Sequence, residues 1–317
     1  MKILITGATG QIGSELTLAL RERYGGDNVI ALGHNKKPDK DLENSGPFEK
    51  GDATDKAFLE SLINKYKIDT IYHLVGILSA AGEENPDNAW MVNVTSLKNV
   101  LDLAKDKNIK QIFWPSSIAA FGLGSPRDNT PQATIMDPNT IYGITKISGE
   151  LLCNYYYNKY RLDVRSLRYP GLISYVTPPG GGTTDYAIDI FYQALKNKSY
   201  SSFLREDTML PMMYMPDAIK GTIDLMEAPN SKIRTRLSYN FTAFSFTPKE
   251  IADEIKKHIP DFVCTFIPDR RQNIADTWPR SIDDTPARRD WDWQPKYDLA
   301  SMTEDMIKHL KKKIKPE

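Results

Sequence analysis

The sequence predicts an α/β protein with a doubly wound parallel sheet and, after it, a smaller, irregular α+β C-terminal lobe. Three observations carry this. Short apolar runs alternate with helical stretches through the first half of the chain, a glycine-rich turn follows the first run, and the texture changes after residue 172. Strands alternating with helices build parallel βαβ units with right-handed crossovers.

In chain order, "KILI" (2–5) is an apolar run that ends at glycine, and Ile12, Leu16 and Leu20 then share one face of a helix. "NVIALG" (28–33), "TIYHLVG" (70–76) and "QIFWPSS" (111–117) are further strands, with helices over about 55–65 and 86–105. "DVRSLRYPG" (163–171) reads as the sixth strand. Beyond it, "SYVTPPGGGTTDYA" is rich in Pro, Gly and Thr, a composition that interrupts regular structure. A helix over about 185–197 and a strand at "LPMMYM" follow, and the methionines of that strand are expected in the core of the lobe. The division is 1–172 and 173–317, with later segments crossing back into the first part.

Composition excludes several function classes. Of 317 residues, 40% are hydrophobic and 26% charged, as in ordinary globular chains. Lys plus Arg and Asp plus Glu both number 41, so there is no basic excess for a nucleic-acid partner. The basic "HLKKKIKPE" is expected to be a solvated helix end. No apolar run reaches the length of about 18 residues that a membrane helix needs. Cys153 and Cys264 stand far apart, which fits a reducing compartment without disulfides. His34, His73, His258 and His309 lack metal-ligand spacing, so no metal site is expected. "MKILITG" does not read as a signal peptide, so the cytoplasm is expected, or an organelle reached through a removed leader.

"ITGATGQIG" sets Gly7, Gly10 and Gly13 between a strand and a helix. Missing side chains there let backbone approach a pyrophosphate, whose charge rests on the N–H groups of the helix N-terminus. This is a Rossmann-type dinucleotide turn. Its G-x-x-G-x-x-G spacing resembles the extended short-chain dehydrogenases/reductases. "KGDAT", with Asp52 and Ala53, is similar to that family's step after the third strand, and "HLVG" to its fourth-strand signature. Asn93 in "VNVTS" matches the family's supporting asparagine. The resemblance implies cofactor contacts from Gly7, Gly10, Gln11, Ile12, Gly13, Asp52, Ala53, Leu74, Val75 and Gly76, and from Tyr142, Lys146 and Tyr169.

The family's catalytic set is Ser or Thr, Tyr, and Lys four residues after the Tyr. "WPSSIAAFG" and "YGITK" supply Ser117, Tyr142 and Lys146, with Ser117 25 residues before Tyr142. Ser116 is the near neighbour, and either serine can polarise the substrate. Oxidising an alcohol removes a hydride from carbon and a proton from oxygen, so a base is needed near working pH. A tyrosine must be lowered by roughly 2–3 units, about 3–4 kcal/mol, to serve. Lys146 shares its helix face and is expected to do this.

"LRYPGLISYVTPPGGGTTDYAIDIFYQAL", "LPMMYMPDAI", "FTPKEIADEIK", "TWPRSIDD" and "ARRDWDW" resemble short-chain-type L-threonine 3-dehydrogenases along nearly the whole chain. This implies oxidation of L-threonine to 2-amino-3-oxobutanoate, with Ser79, Ser116, Ser117, Tyr142, Thr184 and Trp278 at the substrate. Trp278 can equally pack the lobe. Relatives often dimerise through the helices before and at the Tyr, so a homodimer is expected. The rivals are a sugar-nucleotide epimerase or dehydratase on the same fold, and a dinucleotide-sensing protein without catalysis.

One feature departs from the family. In "VIALGHNKK" the acidic residue that takes the ribose hydroxyls is missing, and Gly33 stands there, followed by Lys36 and Lys37. The family implies NAD, whereas the local chemistry also permits NADP. A carboxylate introduced at Gly33 is expected to tighten NAD and penalise NADP.

Overall fold

In the computed structural model, which describes residues 1–314, Ile3 and Ile5 enter one hydrophobic layer and Leu4 the opposite one. This alternation is the period of a strand buried on both faces. Strands β1 (Ile3–Thr6), β2 (Val29–Gly33), β3 (Phe48–Lys50), β4 (Thr70–His73), β5 (Gln111–Ser117) and β6 (Asp163–Tyr169) pair in parallel in the order β3-β2-β1-β4-β5-β6. Helices Gln11–Tyr24 and Met215–Glu227 cover the Ile3 face through Leu16, Leu20, Ala218 and Ile223. Helices Lys56–Tyr66, Ser96–Asp106 and Ile141–Tyr160 cover the Leu4 face through Leu59, Leu62, Val100 and Tyr156. The sheet is therefore doubly wound, as expected. Its strand order reverses at β1, which opens a crevice at the carboxyl ends of β1 and β4.

The chain continues through β7 (Gly171–Ile173), β8 (Ser199–Ser202) and β9 (Leu210–Tyr214). It then returns in β10 (Tyr239–Asn240), which pairs with β6 and makes the sheet seven-stranded. β11 (Phe244–Phe246) joins β9 and β7 in a three-stranded sheet, and β12 (Val263–Phe266) pairs with β8. These smaller sheets and their helices enclose a separate core that contains Tyr186, Phe191, Met212 and Trp278.

Two elements differ from expectation. The sixth strand stops at Tyr169, because Pro170 has no N–H for the ladder, and residues 171–173 leave for the second sheet. The helix expected over 86–105 contains a π turn at Met91–Thr95. Asn93 sits in that turn. Its Oδ1 accepts the Ile77 N–H at 2.7 Å, and its Nδ2 donates to the Ile77 carbonyl at 3.1 Å and to Thr145 Oγ1 at 3.0 Å. One side chain thus ties the segment after β4 to helix Ile141–Tyr160. Residues 315–317 of the basic C-terminal stretch lie outside the described residues, and helix Leu299–Ile314 precedes them. Among the described residues no helix is long and apolar enough to cross a membrane.

Candidate active site

The glycine turn leaves β1 with Gly7 at φ +76°, a conformation that L side chains rarely adopt. A Cβ on Gly13 would stand 2.2 Å from the Gly7 carbonyl oxygen, so only glycine lets the helix start this close to the strand. The first helical bond runs from Ser14 N–H to the Gly10 carbonyl at 3.1 Å, and the N–H groups of Gln11 and Ile12 precede it. No acidic side chain stands in the first turn and no side chain caps it. A positive helix end with uncapped donors fits a dinucleotide pyrophosphate. Asp52 lies just past β3, where its carboxylate accepts the Thr54 N–H at 2.8 Å; that bond holds it below the ordinary carboxylate range.

Thr140 caps helix Ile141–Tyr160 by accepting the Gly143 N–H at 3.1 Å. A Cβ at residue 143 would meet the Ala119 carbonyl at 2.2 Å. Glycine there lets the helix start press against the end of β5, so Tyr142 reaches Ser117. The two serines of "WPSS" face opposite ways, as strand geometry demands. Ser116 is buried and donates to Glu150 Oε1 at 2.6 Å. Ser117 accepts the Ala119 N–H at 3.2 Å and stands near enough to Tyr142 to favour its ionised form. Ser117 is therefore the serine whose hydroxyl is beside the phenol, and Ser116 is engaged elsewhere.

The expected lowering of Tyr142 by Lys146 is not what the geometry produces. Burial pushes the Tyr142 hydroxyl up to about 12, with Ser117 opposing. Burial also drives the Lys146 ammonium down to about 7, against the pull of Glu150. Lys146 Nζ donates to the Pro115 carbonyl at 2.7 Å and lies 5.3 Å from the centre of the Tyr142 ring. Desolvation dominates both groups.

Glu150, four residues past Lys146, went unnoticed in the sequence. Its carboxylate forms a buried pair with Arg168, with bonds of 2.9 and 2.8 Å. Arg168 also donates to the Gln132 carbonyl and to Asn240 Oδ1, so strand β10 helps to hold it. Breaking such a pair leaves an uncompensated buried charge, which costs about 3–5 kcal/mol. The i, i+4 spacing from Lys146 was the available signal, but its buried partner is distant in sequence.

A cleft opens at the carboxyl ends of the strands. It gathers Gln11, Ile12, Leu74, Gly76, Ser79, Ser116, Ser117, Tyr142, Lys146, Tyr169, Thr184 and Trp278. Gly7, Gly10 and Gly13 lie in the turn, Asp52 and Ala53 lie past β3, and Val75 packs against the core beneath; none of these lines the cleft. The Tyr169 hydroxyl is taken by Thr222, so only its ring is available to the cleft. The lobe adds Thr183 and Asp185. Thr183 shares a 3.3 Å hydrogen bond with Ser79, and Asp185 accepts the N–H groups of Gly180 and Gly182 at 2.6 and 2.9 Å. Trp278 both packs in the lobe core and lines the cleft, and its carbonyl accepts Arg127 Nε at 3.0 Å. Among the described residues Lys146 is the one basic side chain of the lining.

At the other end of the crevice, Gly33 is not open space. A Cβ there would meet Phe48 Cζ at 2.7 Å and Thr9 Cγ2 at 2.9 Å. The Phe48 ring lies across the glycine. An aspartate at this position must displace that ring, so the expected simple gain in NAD affinity from Gly33→Asp does not follow.

The NAD dependent epimerase/dehydratase family matches residues 3–240, and the chain belongs to that family. The finer resemblance read from the C-terminal motifs holds as well. The chain is similar to an L-threonine dehydrogenase of Clostridium difficile, with 54% identity, 98% of each chain covered and a TM-score of 0.96. It is similar to a monomeric L-threonine 3-dehydrogenase from a metagenome, with 48% identity, 99% of this chain and 100% of the other covered, and a TM-score of 0.95. An uncharacterized epimerase/dehydratase of Staphylococcus haemolyticus is 47% identical over 313 residues, 98% of each chain.

Proposed function

We propose that the chain oxidises the side-chain hydroxyl of L-threonine to 2-amino-3-oxobutanoate, with NAD as hydride acceptor. One observation carries the choice of substrate. The cleft that holds Ser117 and Tyr142 is also lined by Ser79, Thr183, Thr184, Asp185 and Trp278, and among the described residues Lys146 is its one basic lining residue. A small zwitterion fits such a wall of hydroxyls, N–H groups and one carboxylate. A sugar-nucleotide diphosphate needs cations that this wall does not provide.

The dinucleotide, when bound, supplies the hydride acceptor and a positively charged ring beside the phenol. The remaining work falls to the chain. Ser117 holds the substrate oxygen against Tyr142, and Tyr142 takes its proton. Lys146 keeps a cationic donor on the face of the ring, and Glu150 behind it favours that charge. Thr184 and Trp278 hold the amino-acid end. Residues 1–172 serve mainly the dinucleotide and 173–317 mainly the substrate.

The assembly we propose is a homodimer, in contrast to the monomeric metagenome relative. Its support is an exposed apolar face on the helices before and at Tyr142, formed by Trp90, Met91, Ile144, Leu151 and Tyr155. Both cysteines are free, which supports a cytoplasmic location. The test of function is reduction of NAD by purified protein with L-threonine, run beside UDP-sugar turnover. Sugar turnover without threonine oxidation selects the epimerase reading. Dinucleotide binding with neither turnover selects the sensing one.

A further inference from the structure

The end of β2 is where dinucleotide folds place the carboxylate that takes the ribose hydroxyls and repels a phosphate there. Here that position is Gly33, covered by Phe48 and Thr9. Beside it lies a hollow whose wall includes Thr9, Ser14, Lys36, Lys37, Asp39 and Thr177. Thr9 belongs to both, so the hollow continues directly from the glycine turn past the end of β2.

The charges in this hollow are not balanced. Lys36 and Lys37 are exposed, and neither has an ion pair or a side-chain hydrogen bond among the described residues. Among the described residues the one carboxylate of the wall is Asp39, whose Oδ1 accepts the Leu42 N–H at 2.8 Å and caps the following helix. Ser14 and Thr177, also of this wall, bring hydroxyls within 3.5 Å of each other. Two ammonium groups and two hydroxyls around one hollow suit a phosphate dianion.

We propose that this hollow receives a phosphate on the adenosine ribose, so that the chain binds NADP-type dinucleotides as well as NAD. The inference rests on the dinucleotide reading above and adds to it a relaxed choice of cofactor. The lysines act as exposed point charges, so their joint effect is modest and falls with salt.

The test is fluorescence titration of the purified full chain with NADH and with NADPH, before any turnover is measured. The wild type should bind NADPH within about tenfold of NADH, and the pair Lys36→Ala and Lys37→Ala together should weaken NADPH by about tenfold while moving NADH by less than about twofold. Adenosine 2′-monophosphate should compete with NADPH in the wild type and lose that ability in the variant. Gly33→Asp is a poor single test, since its Cβ must displace Phe48. Binding of NADH with NADPH weaker by more than about a hundredfold overturns the inference and leaves the dinucleotide reading intact. An equal loss of both dinucleotides in the lysine variant overturns it too. Binding of neither dinucleotide overturns the reading beneath it.

Discussion

Replacing Glu15 by glutamine should stabilise the chain above neutral pH and change little in acid. Glu15 is on the helix that follows the glycine turn, and it accepts Ser174 Oγ at 2.5 Å where β7 leads into the loop that closes the cleft. Burial raises its carboxyl from 4.5 to about 7, against the bond from Ser174 and the charge of Lys313. At about 1.4 kcal/mol per unit, the ionised carboxylate carries a penalty of up to about 3 kcal/mol. Partial exposure and solvent screening reduce this to about 1–2 kcal/mol. The sign follows from the raised folded value. The bound proton favours the folded state fully below 4.5, and that contribution is lost as pH rises through about 7. Glutamine cannot ionise, yet it keeps an acceptor for the Ser174 hydroxyl. Urea unfolding of both proteins should therefore give similar midpoints near about pH 4.5 and a variant more stable by about 1–2 kcal/mol near about pH 8. A difference that does not change with pH, or a variant less stable at the higher pH, refutes the reasoning.

Tyr142→Phe should lower kcat with L-threonine by about 10²–10⁴ and leave cofactor affinity within about twofold, since it removes a proton acceptor and little volume; near wild-type turnover refutes the assignment. Lys146→Ala should lose turnover and also weaken cofactor binding, read by the same titration. Thr184→Ala should raise KM for L-threonine by about tenfold with the cofactor dissociation constant unchanged, because one hydrogen bond to a charged substrate end is lost. Leu151, 57% exposed on the proposed dimer face, becomes a charge in Leu151→Lys, which should shift sedimentation from dimer to monomer. A wild type that already sediments as a monomer refutes the dimer.

The sequence by itself determined the architecture of the first half. Apolar runs spaced by amphipathic helices, with Gly7, Gly10 and Gly13 in the first turn, are local patterns, and local patterns report strand, helix and turn directly. The sequence pattern carries the sixth strand two residues past its end at Tyr169, because its exit into a second sheet depends on β9, about forty residues away. Ser117, Tyr142 and Lys146 were legible as a set through their spacing. What spacing could not carry was their environment. Which serine faces the phenol was decided by Glu150 taking Ser116, and Glu150 is buried only because Arg168 reaches it from β6. Tyr142 stands high and Lys146 low because packing removes water from both, and desolvation is a property of everything that surrounds a group. Gly33 showed an absence in the sequence, whereas the ring that fills it comes from the neighbouring strand at Phe48. Periodicity and motif spacing are written along the chain, but burial, cross-strand contact and charge pairing exist only once distant segments meet.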